Sequence, residues 1–332
     1  MTAERLDHQR AGGFVHSALI AGTDDEMLTA LARLLRHAAT AYDEALLVVG
    51  EHTRSLIADR WSGLNGWLRW ADPAGFYQRL GFAYEGFRRY LAEQADAGRQ
   101  VQVIAEPQLA DPADTELDRV SAYLAYEAVC NDAYAPYGSA VTCLWDSRHH
   151  PASVIDGVRA THSHLLTAAG RHPSPAYVTP ETYLAARQQP LTPPPARVDH
   201  DRALAEVTEL RDLRQALTAW AAGHGFAEEP TDDLVVATVE VASNGLRHAG
   251  TPVRIRAWHH AGTLTVQCDD AAGKPVPPTA GYHRPQITDT LPGGRGLWLA
   301  RQLADIVHVD SVPGRTSVRL HFPHAVMHRR PA

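Results

Sequence analysis

Of the 31 lysine and arginine residues in the chain, Lys274 alone is lysine. Pro275 follows it, so a GK[ST] phosphate loop exists nowhere and nucleotide chemistry of that class is excluded. Cysteine is equally sparse. Cys130, Cys143 and Cys268 are dispersed and odd in number, which excludes a disulfide framework and suits a reducing cytoplasm. No apolar run reaches the roughly 18 residues that a membrane span needs. The first residues carry no apolar leader core, so a cytoplasmic location is expected. A net charge of −7 leaves no basic footprint, and direct contact with nucleic acid is not expected. Histidine is plentiful at 19 residues. None has a C-x-x-C partner or H-E-x-x-H spacing, so the histidines read as scattered surface residues.

The 332 residues, 45% hydrophobic and 21% charged, suffice for two globular domains. From Gly13 to about Ala169 strand-like and helix-like patterns alternate. Gly13–Gly22, Ala45–Gly50, Trp67–Trp70, Val101–Pro107 and Ser139–Asp146 read as strands. Between them fall helices near 24–35, 53–60, 73–97 and 114–131, with a last one over 151–169. Such alternation predicts a mostly parallel sheet covered on both faces. Gln188–His200 is proline-rich and patterns as neither helix nor strand, which marks it as a spacer.

Beyond it, an apolar stripe of Leu204, Val207, Leu210, Leu213, Leu217 and Trp220 predicts a helix over Asp201–Gly223. A second helix is predicted over Asp232–Gly250, with Thr231 as its cap and acidic residues in its first turn. Into its apolar face are set Glu240, Asn244 and His248, spaced i, i+4, i+8 and therefore stacked on one side. A carboxylate and an amide beside apolar positions need partners. A hydrated metal and a triphosphate would supply them. Two strands follow, Val253–His260 and Thr263–Asp269, the latter ending four residues before Gly273. The sequence LPGGRGLWLARQLAD then opens a helix on a glycine cluster, a setting suited to phosphate oxygens. VPGRTSVRLHF places Thr316 just after a turn, on a final strand.

This ordered set resembles the GHKL ATPases, and within them the anti-sigma-factor serine kinases. The resemblance implies an α+β domain of the Bergerat type, helices on a mixed sheet, over residues 201–325. It implies ATP and Mg²⁺ as cofactors. Asn244 would ligate Mg²⁺ and Glu240 would be the general base. His248 counts with the nucleotide-binding residues. Asp269 would accept from the adenine amino group, and Gly273 would let the backbone approach the nucleotide. Gly294, Arg295 and Gly296 would border the phosphates, with Thr316 near the adenine contact. The first glycine of the family's D-x-G-x-G is Ala271 here, a departure that tightens the turn. Implied partners are a sigma factor or an anti-anti-sigma protein of the STAS type, with a homodimer through the same domain.

LAYEAVCNDAY, TCLWD and VRATHSH resemble the MEDS sensory domain. That resemblance covers residues 12–182, leaves 183–200 as the linker, and implies a RecA-like α/β fold without a working phosphate loop. Glu127, Cys143, Asp146 and His162 fall at element ends, where open α/β sheets place ligands, and mark a sensory pocket. Cys143 as a redox sensor and plain packing are the other readings of these residues. For the whole chain, the leading reading is an ATP-dependent serine/threonine protein kinase under sensory control. Two alternatives are a module that sequesters a partner without chemistry and a sensor histidine kinase with His200 as acceptor.

Overall fold

The computed structural model describes residues 14–61, 63, 66–109, 118–249, 252–271, 275–285 and 294–328. The first domain runs β1 (Val15–Ala21), α1 (Asp24–Ala41), β2 (Glu44–Val48), α2 (Glu51–Arg60), β3 (Leu68–Ala71), α3 (Pro73–Phe76) and α4 (Leu80–Asp96). It continues with β4 (Val101–Ala105), α5 (Arg119–Ala133), β5 (Ala140–Asp146), α6 (Ala152–Thr161), β6 (His164–Thr167), β7 (Gly170–Pro173) and α7 (Pro180–Ala186). The seven strands lie in the order β3-β2-β4-β5-β1-β6-β7. All neighbours are parallel except β6 and β7.

The apolar runs take central positions because helices cover both faces. Residues alternate between those faces. Leu46 and Val48 join one core with Tyr84, Phe87 and Leu91 of α4. Ala45 and Leu47 join another with Leu28, Leu31 and Leu35 of α1. Thr23 caps α1 by accepting from the Glu26 amide at 3.2 Å, and three acidic residues fill the first turn.

The second domain runs β8 (His200–Leu204), α8 (Leu210–Gly223), α9 (Glu228–Ala249), β9 (Val253–His260), β10 (Thr263–Asp270), α10 (Gly294–Leu303), β11 (Ile306–Val312), β12 (Arg315–Pro323) and α11 (His324–Met327). Its sheet has the order β11-β12-β10-β9-β8. Every neighbouring pair is antiparallel, where the family resemblance implies a mixed sheet. Leu213, Leu217, Leu234 and Ala242 from α8 and α9 pack onto Ile255, Val266 and Phe322.

Several element boundaries differ from the sequence expectation. Residues 201–204 form an edge strand on β9 and not the start of a helix; α8 begins at Leu210. The helix expected over 73–97 breaks at residues 77–79 into α3 and α4. Residues 164–173 are a hairpin, so α6 stops at Thr161. Helix α9 starts four residues early, at Glu228. Pro230 lies in its first turn, where a missing N–H costs nothing, and Thr231 is inside the helix rather than its cap. The first residues assigned to the linker belong to α7. The spacer is also fastened: Arg319 donates to the Thr192 hydroxyl at 3.2 Å and to its carbonyl, and the Leu191 amide donates to Asp310 at 3.3 Å.

The two domains share a packed boundary. A Cβ on Gly81 would lie 2.0 Å from the Arg301 carbonyl oxygen, so α4 meets α10 backbone to backbone. Arg79 donates to Asp233 at 2.7 Å and to the Leu303 carbonyl at 2.9 Å. Tyr282 and Ile306 extend the core of the first domain.

Candidate functional site

Helix α9 crosses the sheet so that Glu240 and Asn244, both half-buried, face the first turn of α10. A Cβ on Gly296 would lie 2.2 Å from Asn244 Nδ2 and 3.2 Å from Glu240 Oε2. Only glycine allows that approach without displacing the amide. One residue beyond Asn244, a Cβ on Gly245 would meet Val253 at 2.7 Å and the Asp270 carboxylate at 3.4 Å. The backbone of α9 therefore lies directly over the end of β10. Between them opens a cavity of about 340 Å³, lined by Asn244, His248, Cys268, Asp270, Leu297 and Thr316 among others. Its volume and mixed lining, apolar with a few convergent polar groups, suit a small organic ligand. The residues present fit a purine nucleotide: an apolar slot, the Asp270 carboxylate and the Asn244 amide at its wall, and the Glu240 carboxylate next to that amide beside Gly296.

The carboxylate that lines the cavity belongs to Asp270 and not to Asp269, the residue to which the resemblance gives the adenine contact. Alternation along β10 sends Leu264, Val266 and Cys268 into the core, and Asp270 continues that face. Asp269 points to the opposite face. There it accepts from Arg256 at 2.6 Å, Gln267 at 2.7 Å and Ser317 at 2.6 Å. The cross-strand register pairs Asp270 with Thr316 and Asp269 with Ser317, so Thr316, 8% exposed, stands beside Asp270. Counting back from Gly273 selects Asp269, whereas the period of two in LTVQCDD puts Asp270 on the cavity face.

Gly273 lies outside the described residues. Gly294 opens α10, Arg295 is exposed on its first turn, and His248 is exposed at the cavity rim. Residues 275–285 are the described part of the connection from β10 to α10; Pro275, Val276, Pro277, Ala280 and Gly281 line the cavity, and this segment is called its lid. Gly281, at φ +77°, lies against Leu297 with room for no Cβ. On the far side of the lid lies a second cavity of about 450 Å³, at the domain boundary. Val276, Pro277 and Ala280 line both. Arg301 holds this segment: it donates to the Ala280 carbonyl at 3.2 Å, and its guanidinium sits 3.8 Å from the Tyr282 ring centroid. Tyr126 of α5 stacks edge-on against the same Tyr282 ring at 5.1 Å.

His200 opens edge strand β8, and its ring packs edge-on against Trp220. It sits on no helix, unlike the acceptor that a histidine kinase reading requires.

In the first domain, Glu127, Cys143 and His162 converge, joined by His16 of β1, which sequence reasoning missed. A histidine inside the apolar run GFVHSALIAG was the available signal. His16 and His162 are 1% and 0% exposed, so they are core residues and not surface ones. Burial lowers both imidazoles to about 3, and it raises the Glu127 carboxyl and the Cys143 thiol. A thiol so raised is a poor redox sensor. Asp146 is elsewhere. It pairs with Arg148 at 2.7 Å and His149 at 3.4 Å, and Arg148 holds its carboxyl below the usual range.

Comparison with known proteins follows these two halves. Residues 15–163 match the model of the MEthanogen/methylotroph, DcmR sensory domain, and residues 203–322 match that of the histidine kinase-like ATPase domain. No curated protein matches the chain at a significant level. Among solved structures, the RsbU and RsbW domains of Rv1364c from Mycobacterium tuberculosis align at 18% identity with a TM-score of 0.28. The aligned part is 37% of this chain and 32% of that one. The chain is thus a MEDS sensory domain followed by a histidine kinase-like ATPase domain. Among the described residues, no helix is long and apolar enough to cross a membrane.

Proposed function

We propose that the chain is a signal-responsive, ATP-dependent regulator that works by partner switching. In this reading it binds a sigma factor, or phosphorylates a serine or threonine of a STAS-type anti-anti-sigma protein. The observation that carries it is the meeting of Glu240 and Asn244 with Gly296 at the mouth of the Asp270 cavity. Asp270, with Thr316 beside it, would accept from the adenine amino group. Asn244 would hold Mg²⁺, and the first turn of α10 would face the phosphates. ATP supplies the transferable phosphoryl group. Glu240 would take the proton from the partner's hydroxyl. The lid and Arg301 would keep water out. The MEDS domain would act on that lid from behind, through Tyr126 and Tyr282.

The test is incubation of the full chain with labelled Mg·ATP and each STAS-domain protein of its own genome. Acid-stable phosphate on a partner serine or threonine is expected, lost in Glu240→Ala while ATP binding stays. Binding without any transfer would leave a sequestering module. Acid-labile phosphate on His200 would overturn the reading in favour of a histidine kinase.

A further inference from the structure

We propose that His16, Glu127, Cys143 and His162 form a transition-metal site in the MEDS domain, with zinc as the ion its donor set fits best. The four come from four separate elements: β1, α5, β5 and the residue that ends α6. One donor atom from each lies within 4.8 Å of every other. His16 Nε2 is 3.0 Å from Glu127 Oε2 and 3.5 Å from Cys143 Sγ. Glu127 Oε2 is 3.6 Å from Cys143 Sγ and 3.5 Å from His162 Nε2. Ligands at the ~2.0–2.3 Å typical of Zn–N, Zn–O and Zn–S bonds stand roughly 3.3–3.7 Å apart in a tetrahedron. Three of the edges already in place fall in that range, at 3.5, 3.6 and 3.5 Å, His16–Glu127 is shorter at 3.0 Å, and the remaining two lie within 4.8 Å, so binding requires adjustment of the side chains and not of the backbone.

The supporting groups also fit. His162 Nδ1 lies 2.8 Å from the Val158 carbonyl oxygen, which fixes its proton there and leaves Nε2 aimed into the cluster as a lone pair. Orientation of this kind by a backbone carbonyl is the usual support of a metal-bound imidazole. His162 Nε2 is a buried polar atom with no hydrogen-bond partner among the described residues. Such an atom is costly in an apolar core, and a cation answers it. The charges balance: on binding M²⁺, the Cys143 thiol releases its proton to solvent and Glu127 binds as its carboxylate. Two anions and two neutral imidazoles then surround the ion, and the buried site is neutral overall. A thiolate, two imidazoles and a carboxylate favour zinc over magnesium or calcium. All four side chains are at most 3% exposed, so exchange should be slow and limited by local opening. Glu127 also ties the site to the rest of the molecule. Its helix, α5, carries Arg119 two turns earlier, and Arg119 binds the ATPase domain at Asp305.

The test is metal analysis and cobalt(II) substitution of the full-length protein, beside Cys143→Ala and Glu127→Gln. Expected is stoichiometric zinc after purification. The cobalt form should show a thiolate-to-cobalt charge-transfer band with strong tetrahedral visible bands. Cys143→Ala should lose the charge-transfer band, and both variants should lose stoichiometric metal while keeping their far-ultraviolet spectrum. Purified protein without metal that also takes up no cobalt would overturn the proposal. So would a charge-transfer band that persists in Cys143→Ala, because the thiolate would then be Cys130 or Cys268. Should Cys143→Ala fail to accumulate, X-ray absorption of the native protein decides. A zinc shell with one sulfur and imidazole scattering supports the site; a shell without sulfur overturns it.

Discussion

Arg119 of the MEDS domain and Asp305 of the ATPase domain meet as a two-pronged ion pair, 2.8 and 3.1 Å, with neither side chain exposed. The Gln78 carbonyl takes a further bond from the same guanidinium at 3.1 Å. Removing one partner of such a pair strands the other charge in a dry boundary, at a cost of about 3–5 kcal/mol. Arg119→Met or Asp305→Leu alone should lower unfolding stability by that much. The double replacement should recover most of it, since two apolar groups leave no stranded charge. Urea unfolding of the three variants checks this. Additive losses in the double variant would show that the pair is not coupled across the boundary.

Gly296→Ala separates structure from function where α10 meets Asn244 of the proposed nucleotide site. Alanine favours a helix over glycine by up to about 1 kcal/mol. The clash is with the free end of the Asn244 side chain, which can swing away. Stability should therefore change little. Mg·ATP affinity should fall about tenfold, equivalent to ~1.4 kcal/mol, because the displaced amide is the one assigned to Mg²⁺. Calorimetric titration with thermal unfolding alongside measures both.

The outer face of the second sheet carries a buried histidine with a pH signature. His321 is 8% exposed, hydrogen-bonded to Thr265 at 3.3 Å, next to His308, and close to Arg319. Burial, then His308 and Arg319, hold its imidazole well below 6.5. The unfolded chain thus binds a proton that the folded chain does not. Stability is full above about pH 6.5 and is lost as pH falls below it, by up to ~1.4 kcal/mol per unit. His321→Leu should flatten the pH dependence of unfolding between about pH 6 and 4. An unchanged slope would mean that His321 titrates normally.

Much of the fold was legible because apolar runs and helical stripes are local signals. Ala45–Gly50 and Ser139–Asp146 are buried strands for the reason their composition suggests. The boundaries that misled depended on distant partners. Residues 201–204 carry the phase of the helix that follows, yet β9 offers them a ladder of hydrogen bonds. The helix through 73–97 breaks where Arg79 turns to reach Asp233, a partner 154 residues away. The E-x-x-x-N helix and the glycine at 296 were readable as motifs. Asp270 was readable too, from the alternation of its strand. His16 was the hardest to see, because its partners come from three other elements and share no spacing with it. The fastening of the linker by Arg319 left no local trace at all.

The most direct measurement is calorimetric titration of Mg·ATP into the protein, beside Asp270→Asn and Asp269→Asn. Micromolar binding, about −8 kcal/mol, is expected of the unmutated chain. Asp270→Asn should abolish it. Asp269→Asn should retain it, its carboxylate being engaged by Arg256, Gln267 and Ser317 on the other face of the sheet. No binding by the unmutated protein, or loss in Asp269→Asn with retention in Asp270→Asn, would contradict the proposed nucleotide site.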